Sequence, residues 1–448
     1  MATFNFFRSK IFPILLVNFL GIFGYSLVVP ILIFIVTDFG GNGFVYGLIG
    51  ATYPFFQFIG APRLGQLSDR IGRKKVLIIT QIGSFLAWAL FILAFYVPQI
   101  SFWSSQSEWM GDFSLTLPLL LLFIARMVDG YTGGNISVAN AYLSDISTDA
   151  DRSKNFGLIG TSTSMSFVIG PVISGILAAK ELEERLHLMI AALIALVAVL
   201  VIARRLEESN PCVVDTSVRS FKDFRQFFQV EHRDCYVEGA DSNAAETRST
   251  WAAIAQIPHI YVLYAVYFLT FLAFSLFYVA LPIYASTVLE WTAAELGGFL
   301  AYFSFIMILS QGPLLITLSK RVSSTRLALS GAFLLGLGFV LLSGENVGLL
   351  FAGITIMGLG NGVMWPSFLA ILSQVGNAAQ QGAVQGYGTS MGSIASMSGL
   401  IIGGILFEFL GTTVFLFGGL IFLGIAMLLL LGLPRSPRPA PIESQNKE

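Results

Sequence analysis

Long apolar runs separated by short polar breaks make up most of this chain. A helix rising 1.5 Å per residue needs roughly 20 apolar residues to cross hydrocarbon. Runs of that size occur twelve times, at about 11–36, 44–67, 74–97, 116–144, 155–179, 187–204, 257–287, 296–318, 325–343, 347–374, 382–407 and 412–433. The pattern predicts an all-α polytopic membrane protein. One long polar connection, 207–256, divides it into 1–206 and 257–434, each a six-helix bundle, and a polar, proline-bearing tail over 435–448 is expected to be disordered.

Basic residues are shared unequally among the breaks. Arg8 and Lys10 precede the first run, Arg70, Arg73, Lys74 and Lys75 follow the second, and Arg152 and Lys154 follow the fourth. Arg204 and Arg205, then Lys320, Arg321 and Arg326, then Arg435 and Arg438 follow the sixth, eighth and twelfth. All fall on one side, while the other side holds Lys180 and Arg185 among many acids. The positive-inside rule then places both termini in the cytoplasm, with the plasma (inner) membrane the expected host.

Composition agrees with the pattern. The chain is 55% hydrophobic and 11% charged, with a mean hydropathy of +0.78, whereas soluble domains carry about 25% charge. Its net charge of −1 offers nothing to nucleic acid. Cys212 and Cys235 share the polar connection with His232, at a spacing that fits no zinc pattern. No phosphate-cradling loop, metal cluster or nucleophile triad stands out, so neither a cofactor nor enzymatic activity is expected. In the connection, Phe221, Phe224 and Phe228 share a helical face among basic residues. That stripe suits either the headgroup plane or the surface of the bundles.

The two halves repeat. At a shift of 320 − 69 = 251, Ala61-Pro62 meets Gly312-Pro313, Leu67-Ser68 meets Leu318-Ser319, Arg70 meets Arg321 and Lys75 meets Arg326. At 386 − 157 = 229, Leu143-Ser144 meets Leu372-Ser373, Gly170 meets Gly399 and Gly175 meets Gly404. The long connection near 98–115, short in the second half, accounts for the change of register. Two parallel halves imply a substrate site between them near the membrane midplane.

The candidate chemistry lies in the fourth run, which reads Arg126-Met127-Val128-Asp129-Gly130-Tyr131-Thr132-Gly133-Gly134-Asn135. Counting from Thr116 puts Arg126 and Asp129 roughly 15–20 Å deep. Charge at that depth is costly unless it is paired or faces a water-filled cavity. At i and i+3 the two share a face. They either couple protons to transport or form a permanent pair that orients the helix. Neutral polar and aromatic residues complete a candidate cavity: Asn18, Tyr25, Gln57, Gln81, Asn135, Asn140, Gln311, Asn361, Trp365, Gln385 and Tyr387. Each can equally serve as an interhelical hydrogen-bonding group. As a set they suit a neutral or weakly charged amphipathic solute.

Gly65-Gln66-Leu67-Ser68-Asp69-Arg70-Ile71-Gly72-Arg73-Lys74-Lys75 resembles the gating loop between the second and third helices of the major facilitator superfamily. Both glycines suit the turn, with Gly65 allowing a helix end to close on a neighbour, and Asp69 can pair with Arg or cap a helix start. The fourth-run segment, Ala139 to Asp145, and Asp151 to Gly160 resemble the tetracycline-efflux branch of the twelve-helix drug:proton antiporters, as does Phe58 to Gly65. That resemblance implies proton transfer at Arg126 and a cytoplasmic gate in which Asp69 and Arg73 lock with Asp145. Gly170-Pro171-Val172-Ile173-Ser174-Gly175 is similar to an antiporter motif of bent, close-packed helix, with Ser174 in place of one glycine. Gly21 and Ala87 stand where the tetracycline pumps carry aspartates, which argues against tetracycline itself. The expectation is a monomeric proton-coupled exporter working in the lipid bilayer on a small molecule. Proton-coupled uptake and a receptor or scaffold without flux are the alternatives.

Overall fold

The apolar runs fold as helices whose ends are marked by polar caps. In the computed structural model, residues 11–107, 111–147, 152–179, 184–210, 254–344, 346–375 and 381–432 are described. The Phe221, Phe224 and Phe228 stripe, Cys212, Cys235, His232 and the tail 435–448 lie outside them. The first half contains α1 (Phe12–Val28), α2 (Leu32–Asp38), α3 (Gly43–Ile71), α4 (Arg73–Ala94), α5 (Leu117–Gly133), α6 (Ile136–Ile146), α7 (Arg152–Ala179) and α8 (Glu184–Arg205). The second contains α9 (Ile260–Thr287), α10 (Ala293–Leu309), α11 (Leu315–Ser319), α12 (Ser324–Leu342), α13 (Val347–Leu372), α14 (Gln381–Leu410) and α15 (Val414–Gly432). Asn42 caps α3, Thr292 and Glu295 form a reciprocal capping box on α10, and Asn346 caps α13.

Among the described residues, ten segments are long and apolar enough to cross a bilayer. The last of them, Val384–Gly432, is 49 residues long, and a 3₁₀ turn at Gly411–Thr413 separates its two helices, α14 and α15. The pair α5 and α6 is not among the ten. Their run is broken where the pattern predicts a continuous helix over 116–144. Gly133 and Gly134 are poor helix formers, and the chain tightens there, with Ser137 N donating to the Gly134 carbonyl at 3.2 Å. A second irregularity, a π turn over Ser310–Leu314, contains Pro313 and joins α10 to α11. Leu86, Met189, Leu193, Phe333, Leu420, Met427 and Leu431 are all exposed, an outer apolar surface of the kind that a bilayer covers.

Within the first half, α1 packs on α7 and α8, and α5 on α3 and α4; within the second, α9 packs on α14 and α15, and α12 on α13 and α15. Two seams join the halves, α7 with α10 and α3 with α14. Between α4 and α5 the chain forms a hairpin, β1 (Ser101–Ser107) with β2 (Gly111–Thr116). These are the only strands among the described residues. The hairpin is fastened to the α2–α3 connection by Ser114 N to the Gly40 carbonyl at 2.8 Å and Thr116 Oγ1 to the Phe39 carbonyl at 2.7 Å. The end of the molecule bearing it is the hairpin end; the opposite end carries Arg70, Arg73, Lys320, Arg321 and Arg326 and is the basic end.

Candidate functional site

Thr116 starts α5 by accepting a hydrogen bond from Leu119 N at 3.5 Å, with Pro118 in the first turn. The helix then runs unusually close to α3. A Cβ on Gly130 would overlap the Tyr53 backbone, and one on Gly60 would overlap that of Tyr131. This approach brings Tyr53 and Gln57 against α5. The Arg126 guanidinium lies between the rings of Tyr25 and Phe91, 5.2 Å from each centroid, and Tyr25 lies 4.9 Å from Tyr53, ring to ring. Cation–π contact of this kind partly replaces lost water.

Arg126 Nη1 is 3.8 Å from Asp129 Oδ2, with side chains 1% and 7% exposed. Among the described residues, Arg126 Nε and Nη1 and Asp129 Oδ2 make no hydrogen bond. A buried pair is held well when it is bidentate and its remaining polar atoms are bonded. Here the contact is long and both partners keep unspent hydrogen-bonding capacity. Such a pair can accept a proton, a water or a polar group of a solute without first breaking a tight bond.

Gln57 Nε2 donates to the Gly133 carbonyl at 3.1 Å and reaches the Tyr53 hydroxyl at 3.4 Å, while Asn135, at the break between α5 and α6, donates to Thr80 Oγ1 at 3.4 Å. Tyr25, Gln57, Arg126 and Asp129 are therefore brought together. Asn18 is engaged elsewhere, donating to Thr163 Oγ1 of α7 at 3.0 Å. Gln81 is buried, 3.4 Å from where a Cβ on Gly21 would sit. In the second half, Trp365 stacks on Phe368 at 5.7 Å and meets Tyr267 edge-on at 5.3 Å. Asn361 contacts Met307 Sδ at 3.6 Å and Gln311 sits in the π turn. Asn140, Gln385 and Tyr387 are half-buried. Tyr53 and Phe91 were not among the expected residues. Tyr53, four residues before Gln57 on one helical face, carried a readable signal; Phe91 carried none among so many phenylalanines.

At the basic end, α3 continues through Gly65 to Ile71, and the turn is made by Gly72 alone, at φ 102°. The expectation that Gly65 lies at a helix end is corrected: its helical register runs on for six more residues, and it meets Ser137 at ordinary distance. Asp69, 62% exposed, pairs with Arg73 and caps no helix start. Arg73 Nε also meets Asp145 Oδ2 at 3.2 Å, and Arg73 Nη1 donates to Ser68 Oγ at 2.6 Å. Arg70 is exposed. The acid at the start of α4 is Glu208, which accepts from Arg73 N at 2.9 Å and Lys74 N at 3.1 Å. Ser209 donates to Asp145 Oδ2 at 2.9 Å and Asn210 to the Asp69 carbonyl at 2.9 Å. These three residues after α8 were missed, because nothing local in the sequence links 208 to 73.

In α7, a Cβ on Gly170 would overlap the Ser26 side chain, and Pro171 lies inside the helix. A Cβ on Gly175 would come within 2.7 Å of the Gly297 carbonyl on α10, and one on Gly297 within 2.8 Å of Gly175 Cα. The halves thus cross there backbone to backbone, near the hairpin end. His187, buried in α8, lies with Nε2 3.1 Å from the Ser174 carbonyl.

A family model described as Major Facilitator Superfamily matches residues 14–343 and 263–448. The chain is 27% identical over 392 residues to the class C tetracycline resistance protein of Escherichia coli, covering 85% of each. It is 32% identical over 202 residues to multidrug resistance protein 1 of Bacillus subtilis (strain 168), covering 44% of this chain and 46% of that one. Among solved structures, the human organic anion transporter MFSD10 (TETRAN) matches with a TM-score of 0.64 at 19% identity, over 94% of this chain and 99% of that one.

Proposed function

The chain belongs to the Major Facilitator Superfamily of multi-pass membrane transporters, and on that premise we propose that it exports a small amphipathic molecule in exchange for protons. The family is one of transporters, not enzymes. The observation that carries the proposal is the buried Arg126–Asp129 pair, with its 3.8 Å separation and unspent polar atoms. A proton carrier must exist charged and neutral in turn, and Arg126 favours the charged form only while it stays close. Relatives named for tetracycline and multidrug resistance support the outward direction. The neutral, aromatic surroundings supplied by Tyr25, Tyr53, Gln57 and Trp365 support an amphipathic substrate.

In this reading the chain crosses the plasma (inner) membrane twelve times as two six-helix bundles and works as a monomer, with the basic end in the cytoplasm. The α5–α6 run and the two helices of Val384–Gly432 complete the count. Asp69, Arg73 and Asp145, with Gly65, Arg70 and Gly72 around them, form the cytoplasmic gate. Gly170, Pro171 and Gly175 give the packing that rocking requires.

The test is internal pH in proteoliposomes as a panel of amphipathic drugs and metabolites is added, for the natural chain and Asp129→Asn. Proton movement into the vesicle interior or out of it, coupled to counterflow of a solute and lost in Asp129→Asn, is expected. Proton-driven accumulation at the natural rate in Asp129→Asn overturns the assignment of the carrier, and same-direction movement of proton and solute overturns export.

A further inference from the structure

Helices α12 and α15 touch at Gly336 and Gly419, where a Cβ on Gly336 would lie 3.3 Å from the Gly419 carbonyl. Towards the basic end they part around a groove of about 830 Å³. Leu329, Phe333, Leu423, Met427 and Leu430 line it, and Arg326 lines it on the side of the basic end. Its length from Arg326 to Gly336 is 336 − 326 = 10 residues, about 15 Å, which is half of the roughly 30 Å hydrocarbon thickness. The groove therefore has the depth of one leaflet, with its only charged lining residue at the level of the headgroups. Phe333, Met427 and Leu430 are all exposed on the outer surface of the helices.

Among the described residues, none that lines the groove supplies an anion at its basic end. Arg326 lies in the first turn of α12, where a cation is unfavourable, and that turn has no acidic residue and no side-chain cap. Lys320 and Arg321 are exposed in the preceding turn. The described acids of the second half, Glu290, Glu295 and Glu408, all belong to the hairpin end. The repeat sharpens the point: α4 starts at Arg73 and α12 at Ser324, and 324 − 73 = 251, the shift already found. The start of α4 receives the carboxylate of Glu208. After α15 the sequence reads Leu433-Pro434-Arg435-Ser436-Pro437-Arg438, with basic residues and no acid.

The geometry points to a binding site for an anionic phospholipid of the leaflet at the basic end. One acyl chain fills the α12–α15 groove, and the headgroup phosphate meets Arg326 and the uncapped N–H groups of α12, which also suit an anion. The phosphate takes the place that Glu208 fills in the first half.

Native mass spectrometry of the full chain from nanodiscs of equal phosphatidylglycerol and phosphatidylcholine tests this. Retention of phosphatidylglycerol in preference to phosphatidylcholine is expected by about fivefold, the effect of one basic residue near a membrane surface. Arg326→Gln brings the two lipids near parity. Ser330→Trp, which fills the groove, lowers retention of both. Arg205→Gln, an exposed arginine of the first half, leaves the preference intact. Equal retention of both lipids by the natural chain, or a preference unchanged in Arg326→Gln, overturns the proposal and leaves the groove as ordinary bilayer contact. Displacement of lipid by an added drug with no headgroup preference overturns it in favour of a solute site.

Discussion

In the first half, the turn at 68–75 is surrounded by acceptors. Asp69 and Asp145 meet Arg73, Glu208 caps α4, and Ser209 and Asn210 fasten the segment that delivers Glu208. At the repeat-related turn, 319–326, Lys320 stands where Asp69 does, and the cap of α12 lacks any side-chain bond. The same asymmetry runs into the membrane. By the shift of 229, Arg126 and Asp129 correspond to 126 + 229 = 355 and 129 + 229 = 358, which are Thr355 and Gly358. Thr355 shares a 2.8 Å hydrogen bond with Tyr302, a neutral pair. A duplicated fold has thus kept its helices and placed its charge chemistry in one copy. That is the division of labour expected if one half handles protons and the gate while the other supplies apolar and aromatic surface.

The comparison breaks most readily at the buried pair. Arg126→Leu leaves Asp129 without its countercharge and is expected to cost about 3–5 kcal/mol, while Arg126→Leu with Asp129→Asn recovers most of that. Thr355→Val in the second half costs about 1 kcal/mol. Thermal unfolding in detergent measures all three, and equal losses for Arg126→Leu and Thr355→Val would remove the asymmetry. Next comes the cap: Glu208→Gln should cost about 1 kcal/mol in the same assay. It should also speed amide exchange at Arg73 and Lys74; unchanged exchange there would show that the carboxylate contributes little. A gain is expected from supplying the missing acid to the other copy. Ser323→Asp should stabilise α12 by about 0.5–1 kcal/mol and reduce its preference for anionic lipid. No gain in stability would mean that the start of α12 is already satisfied. The smallest effect belongs to Asp69→Asn. Asp69 is itself 62% exposed and Arg73 keeps Asp145 and Ser68, so the pair contributes under about 1 kcal/mol to stability, yet its loss should raise the reactivity of cysteines placed along the basic end of the cavity. Unchanged labelling would count against its role in the gate.

The helices were legible because hydrocarbon demands apolar runs of fixed length, and their ends fell within a few residues of the expected ones. The i, i+3 spacing of Arg126 and Asp129 was likewise enough to place them on one face. What escaped were features decided by partners far away in the chain. The connection near 98–115 reads only as a long loop, yet Ser101–Ser107 and Gly111–Thr116 pair as strands, fastened where Phe39 and Gly40 offer carbonyls to the second of them. Glu208 looks like any acid leaving a membrane helix until the fold sets it beside Arg73. Gly65 was misjudged for the opposite reason: glycine suggests a break, but a helix held on several sides continues through it. The break after Gly133 and the π turn at Pro313 show the same weakness, since residue type indicates where a helix can yield and packing decides where it does.

The crossing of Gly175 and Gly297 has a mechanical consequence. With no side chain between the two backbones, the seam of α7 and α10 is smooth there, and one helix can tilt on the other without lifting side chains out of grooves. From Gly175 to the start of α7 at Arg152 is 175 − 152 = 23 residues, an arm of about 35 Å. A turn of about 10° at such a joint swings the far end through about 6 Å, roughly the width of a small organic ring. Two hydrogen atoms in place of two methyl groups let a modest rotation at one face become a doorway at the other.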